Sequence, residues 1–131
     1  MKKIITLLLI LFTLGLKAQS NVVKFDTTAI NYGIIKAGSD GKRTFKFTNV
    51  SREPIAILTV TTYCGCTVPD WTNELIFPGR KGIITVEYDT NRIGRFGKEV
   101  KVKTTGSEEE TRLVIWGQVD RDWETTISSY C

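Results

Sequence analysis

Apolar and polar residues alternate along most of the chain in short runs, with the period of two that half-buried strands impose. Val22 to Phe25 forms the first run and Ile30 to Ile35 the second, where Gly33 marks a bulge or a close backbone approach. Ala37 to Gly41 reads as a turn. Arg43 to Val50 places Phe45 and Phe47 on one face and Lys46 and Thr48 on the other. Asn49 to Pro54 is a polar turn. Ile55 to Thr62 follows, rich in β-branched residues, and its apolar set changes phase between Ile57 and Leu58, which predicts a bulge or burial on both faces.

Beyond Pro69, Asp70 to Glu74 reads as an irregular loop and Leu75 to Phe77 as a short apolar piece. Pro78-Gly79 fits the two central positions of a type II turn, where proline presets φ and glycine supplies a positive one. Gly82 to Tyr88 aligns Ile84, Val86 and Tyr88. Gly94 and Gly97 bracket Phe96 in a turn-rich link. Lys98 to Thr105 turns Val100 and Val102 inward; Gly106 to Glu110 closes a hairpin. Thr111 to Val119 then sets Leu113, Ile115, Gly117 and Val119 on one face and Val114, Trp116 and Gln118 on the other. No stretch of ten or more residues keeps a helical period after the first twenty or so. About seven short strands at this spacing predict an all-β, immunoglobulin-like antiparallel β-sandwich over residues 19–120, with a small barrel as the alternative closure.

The amino terminus departs from this pattern. Lys2 and Lys3 precede an apolar run from Ile4 to Leu16, broken only by threonines and a glycine, and Ala18 supplies a small residue before a cleavage point. The run is shorter than the ~20 apolar residues a spanning helix needs. It therefore predicts a signal-peptide helix over residues 1–18 and an exported chain in the periplasm, the cell envelope or outside. The mature chain carries no second apolar run long enough to span a membrane, and no cysteine stands directly after the cut to take a lipid. Residues 121–131 read as a polar tail.

Removing the leader takes three lysines and no acid, so the formal charge falls from +4 to +1. Nucleic acid drops out as a partner, because the basic balance belongs to the leader. The sequence contains no histidine, and Met1 is its single methionine. That rules out serine–histidine or cysteine–histidine catalysis, histidine-bound zinc and a methionine-rich copper site. The expectation is a non-enzyme without cofactor.

Two features carry chemistry. Cys64 and Cys66 are separated by one glycine. Their spacing admits structural thiols at a strand end, a small strained disulfide, or half of a metal or redox site, with copper(I) the ion two thiolates suit best. Cys131 leaves the cysteine count odd, as a free tail thiol or an intermolecular bond. The second feature is Trp116, which the alternation turns outward with Val114. Lys101 and Lys103 point outward on the preceding strand, within reach of the indole if the hairpin register allows. Val114, Trp116, Lys101 and Lys103 together form a candidate partner contact.

Ile30-Asn31-Tyr32-Gly33, Phe45-Lys46-Phe47-Thr48-Asn49, Cys64-Gly65-Cys66-Thr67, Pro78-Gly79 and the segment from Tyr88-Asp89 to Gly94-Arg95-Phe96 follow one another in an order that resembles the bacterial domain-of-unknown-function family numbered 1573. The resemblance covers nearly the whole mature chain and implies a secreted immunoglobulin-like sandwich akin to the PapD-like and major-sperm-protein domains. It implies no activity. Together the readings predict an exported, non-catalytic module that binds a protein or cell-envelope partner through a sheet edge or loop end. A thiol-based copper-handling or redox protein using Cys64 and Cys66 is the alternative.

Overall fold

The computed structural model describes residues 21–63 and 67–122. The leader, the Cys64 to Cys66 segment and the tail from residue 123, with Cys131, lie outside the described residues. Eight strands follow in order: β1 (Val23–Phe25), β2 (Ala29–Lys36), β3 (Lys42–Asn49), β4 (Ile57–Thr62), β5 (Thr67–Trp71), β6 (Lys81–Tyr88), β7 (Gly94–Thr104) and β8 (Thr111–Asp120). They form two four-stranded sheets, β1-β3-β6-β5 and β2-β8-β7-β4.

The alternation of the sequence is what closes the two sheets on each other. Phe45 on β3, Ile84 and Val86 on β6, Val100 on β7, and Leu113 and Ile115 on β8 are fully buried. Each such side chain contributes about 1.5–3 kcal/mol by leaving water. The predicted irregularities also fall where the pattern put them. The β2 register shifts between Asn31 and Ile34, around Gly33 with its φ of 68°. The β4 register shifts between Ile57 and Thr59, leaving Leu58 as the extra residue. Gly79 has a φ of 78°, and the Arg80 amide donates to the Phe77 carbonyl at 2.9 Å, which completes the type II turn.

Three details differ from the sequence reading. Asp70 and Trp71, read as loop, belong to β5, which lies at a sheet edge where a proline is tolerated. Gly94 to Gly97, read as a link, is the start of β7, with Phe96 packed inside. One pairing is parallel: β2 runs beside β8 in the same direction. The chain pairs with β3 through β1, then crosses to the other sheet after Asp26 without reversing, so it meets β8 parallel.

Tyr32, Phe96 and Tyr88 fasten one end of the sandwich. Phe96 stacks on Tyr88 of the opposite sheet at 3.8 Å and meets the Tyr32 ring edge-on at 5.2 Å. The Tyr32 hydroxyl donates to the Gly41 carbonyl at 2.7 Å, and the Arg43 guanidinium lies 4.2 Å above its ring. Burial pushes the Tyr32 hydroxyl up to about 12, against the opposing pull of Arg43. At the other end Asn49, wholly buried, ties three segments together. Its amide nitrogen donates to the carbonyls of Glu53 and Ile76, each at 2.8 Å, and its oxygen accepts from the Ser51 amide and hydroxyl at 2.9 and 2.7 Å.

Candidate functional site

The β7–β8 hairpin fixes where the proposed contact residues sit. Leu113 and Ile115 face the core, which turns Trp116 out to 40% exposure and leaves Val114 half-buried. Opposite Trp116 stands Gly97 on β7 and, on its other side, Asn31 on β2. Lys101 is opposite Arg112, four residues along β7 from Gly97, or about 13 Å from the indole's row. Lys103 is farther still. The expected covering of Trp116 by Lys101 and Lys103 is therefore corrected: the register separates them. Lys101 instead donates to the Tyr63 hydroxyl at 2.9 Å and lies 5.1 Å above that ring, a bond that raises the lysine above its ordinary value. Lys103 donates to the Glu108 carbonyl. Glu99 accepts from Arg112 at 3.1 Å and stands 4.0 Å from Lys101. The four residues named from the sequence share a face, with Val114 and Trp116 in one group and the lysines in another.

The cysteine stretch marks a change of sheet. Thr62 ends β4 in one sheet and Thr67 begins β5 in the other, with the Thr62 hydroxyl donating to the Thr67 carbonyl at 3.2 Å. Thr67 is 3% exposed, and its own hydroxyl has no hydrogen-bond partner among the described residues. An unsatisfied buried hydroxyl costs about 1–3 kcal/mol. Thr67→Val, which keeps the β-branch, is expected to stabilise the fold by about 1 kcal/mol and raise Tm by about 4 °C. Thermal melting monitored by circular dichroism measures this. A fall in Tm would mean that the hydroxyl is used by the adjoining segment. Among the described residues no three acids or cysteines converge as a metal site, while Cys64 and Cys66 themselves lie outside them.

Four strands border the sheets, and they are unequally protected. Unpaired N–H and C=O groups on such strands are templates for another chain unless something blunts them. On β5, the Thr72 amide donates to the Ile83 carbonyl at 3.1 Å, which sets Thr67, Pro69 and Trp71 facing away from β6. Pro69 has no donor to offer there, and the Trp71 amide is taken by the Asp70 carboxylate at 2.9 Å. On β2, the Thr27 hydroxyl takes the Ala29 amide at 3.3 Å, and the Asn31 side chain takes the Gly33 amide at 2.8 Å. The β1 strand is only three residues long.

The β4 edge differs. Ile57-Leu58-Thr59-Val60-Thr61-Thr62 contains no charge, proline or glycine. The Thr105 amide donates to the Ala56 carbonyl at 2.9 Å, and that pairing sets the phase of the ladder. Past the Leu58 bulge, Thr59 and Thr61 turn their backbone groups to β7 and Val60 turns its groups away. No side chain among the described residues caps Val60. Leu58 is 53% exposed and Tyr63, just past the strand, is 82% exposed. Sequence reading missed this edge, although one signal was available: six uncharged residues without a gatekeeper.

Comparison with known proteins follows the same outline. A family model described as a protein of unknown function, DUF1573, matches residues 23–119. Among curated proteins none matches the chain by sequence. Among solved structures, a protein of unknown function from Porphyromonas gingivalis superposes with a TM-score of 0.66 at 17% identity, over 82% of this chain and 50% of its own. This chain thus spans half the length of that protein. A PapD-like domain of human CEP192 superposes with a TM-score of 0.66 at 10% identity, over 80% of this chain and 89% of its own. The Acinetobacter baumannii CsuC–CsuE chaperone–tip adhesion subunit complex gives a TM-score of 0.53 at 10% identity, over 76% of this chain and 58% of the matched one. The architecture is that of an immunoglobulin-like, PapD-like sandwich.

Proposed function

This chain belongs to the DUF1573 family, and we propose that it is an exported, non-catalytic module that binds a protein or cell-envelope partner by accepting an extended strand at the β4 edge. The observation that carries the reading is the inequality of the four edges. β5 and β2 spend side chains, or a proline, on amides along their borders, whereas among the described residues no side chain caps Val60 on β4. An incoming strand gains main-chain hydrogen bonds there and covers Leu58, and such pairing supplies affinity with little demand on sequence. The similar chain from Acinetobacter baumannii belongs to a chaperone–tip adhesion subunit pre-assembly complex. That likeness supports a protein partner over a small molecule. The basic leader supports export, and the absence of histidine supports a binding role over catalysis.

Position-specific photocrosslinking in exporting cells tests the site. A photoreactive residue at Leu58 is expected to give protein adducts, whereas the same residue at Asn31 on β2 or Asp70 on β5 gives none. Replacing Cys64 and Cys66 together by serine leaves the Leu58 adducts in place. Adducts from Asn31 or Asp70 and none from Leu58 would reject the β4 edge. Loss of adducts with the cysteines, accompanied by loss of bound copper, would favour the thiol-based alternative.

A further inference from the structure

We infer that the outer face of the β2-β8-β7-β4 sheet, around Trp116, binds a carboxylate-bearing sugar residue of a glycan, on a surface separate from the β4 edge. Trp116 stands between Gly97 on β7 and Asn31 on β2, with Val114 and Gln118 beside it along its own strand. Its indole is 40% exposed, and the cations that lie over rings sit on Tyr32 and Tyr63 instead. Gly97 leaves the space beside the indole open: a Cβ there would meet no atom beyond its chain neighbours within 4 Å.

The polar groups that ring the indole have their acceptors engaged and their donors free. The Asn31 side-chain oxygen accepts from the Gly33 amide at 2.8 Å, and the Gln118 oxygen accepts from Arg95 Nε at 3.4 Å. The side-chain N–H groups of Asn31 and Gln118 and the Nη groups of Arg95 have no partner among the described residues. What this rim has left to offer is donors, one of them charged. Arg95 lies on the diagonal from Trp116, within reach of a group seated on the indole. Glu99, on the opposite diagonal, is turned to Arg112 at 3.1 Å and Lys101 at 4.0 Å, so it does not offset Arg95. The fitting ligand brings acceptors and negative charge.

A flat apolar face with acceptors at its rim is the form of a pyranose ring. Its C–H face carries the weak positive charge that the negative face of an indole attracts. Its hydroxyl and carboxylate oxygens accept from the surrounding donors, the carboxylate best from the guanidinium. A peptide suits the place less well. β8 lies between β2 and β7, so its main-chain groups are engaged on both sides and give an added strand no ladder to join.

NMR titration of the mature chain with fragments of oligogalacturonate, alginate and hyaluronan, each beside its carboxyl-reduced neutral form, tests this. The expected result is a saturable shift of the Trp116 indole N–H by at least one of the acids, bound about tenfold more tightly than its neutral form. Trp116→Ala should abolish binding. Gly97→Val, which fills the open space with a strand-favouring side chain, should weaken binding by about tenfold or more without lowering Tm. Arg95→Gln should keep the affinity for the neutral form and erase the preference for the acid. A chain that no acid binds overturns the inference, as does binding that Trp116→Ala and Gly97→Val leave unchanged. A poly-glutamate peptide that shifts the same indole more strongly than any sugar overturns the glycan in favour of an acidic peptide.

Discussion

Asn49→Asp is expected to lower stability by about 4 kcal/mol and Tm by about 20 °C. The change is nearly isosteric, so packing is not at issue. It replaces the amide nitrogen, which donates to the Glu53 and Ile76 carbonyls at 2.8 Å each, with an oxygen that repels both. The residue is wholly buried, so water does not screen the new charge. A domain of this size holds about 5–15 kcal/mol in total. The loss is therefore a large share of it.

The pH dependence carries the sign of the effect. Burial against two carbonyls raises the folded pKa of the introduced acid above its unfolded value of about 3.9. Below that unfolded value the acid is neutral in both states, and the charge penalty vanishes. It grows as pH rises through 4 toward the folded pKa, about where the carboxylate ionises in the sandwich. Urea midpoints of variant and parent, compared at neutral and acid pH, should converge at the acid end. Equal midpoints at pH 7 would remove Asn49 from any structural role.

Gly41→Ala is expected to cost about 3 kcal/mol or more. A Cβ there would lie 2.0 Å from the Tyr88 carbonyl oxygen, a backbone atom that has no rotamer to yield. Relief requires Gly41 to move, yet its carbonyl accepts both the Tyr88 amide at 3.1 Å and the Tyr32 hydroxyl at 2.7 Å. Displacement would thus loosen the join between the sheets and the three-ring stack beside it. Near-ultraviolet circular dichroism of the aromatic stack and the urea midpoint should fall together. Tyr32→Phe serves as the control, since it loses one hydrogen bond and about 1 kcal/mol while keeping the ring. If Gly41→Ala proves no worse than Tyr32→Phe, the close approach to Tyr88 is not what makes glycine necessary.

Neither residue was legible as essential. Asn49 reads as the start of a polar turn, which it is, and its bond to Ser51 two residues on belongs to that local role. The bond to Ile76 spans 27 residues, and no local pattern encodes it. Gly41 likewise reads as a turn glycine, while the demand for it comes from a carbonyl on another strand. Tyr32 shows the same limit: a tyrosine in a short strand, whose hydroxyl partner is set by how the next turn folds back.

The contact face divides along the same line. Alternation identified Trp116 and Val114 as outward, and Lys101 and Lys103 as outward, because side-chain direction is a property of each strand. Which of them meet depends on hairpin register, and that is fixed by how the tip closes. Thr111 pairs with Val102, so Lys101 falls opposite Arg112 and comes to rest against Tyr63. The β4 edge proposed to accept a strand was hidden for a related reason, since every strand has two sides and only sheet order says which lies at a border.

Period-two alternation, turn chemistry at Pro78-Gly79 and the bulge signals at Gly33 and Leu58 were enough, by themselves, to determine the sandwich, its core and most of its strands. These are local properties, set by backbone geometry and by which side chains leave water. Tertiary structure alone decided the parallel entry of β2, the edge position that makes Pro69 acceptable within β5, the bonds that fasten the two ends, and the exposure of β4. Each of these depends on which strands become neighbours, and that outcome is settled by the joint burial of residues far apart in the chain.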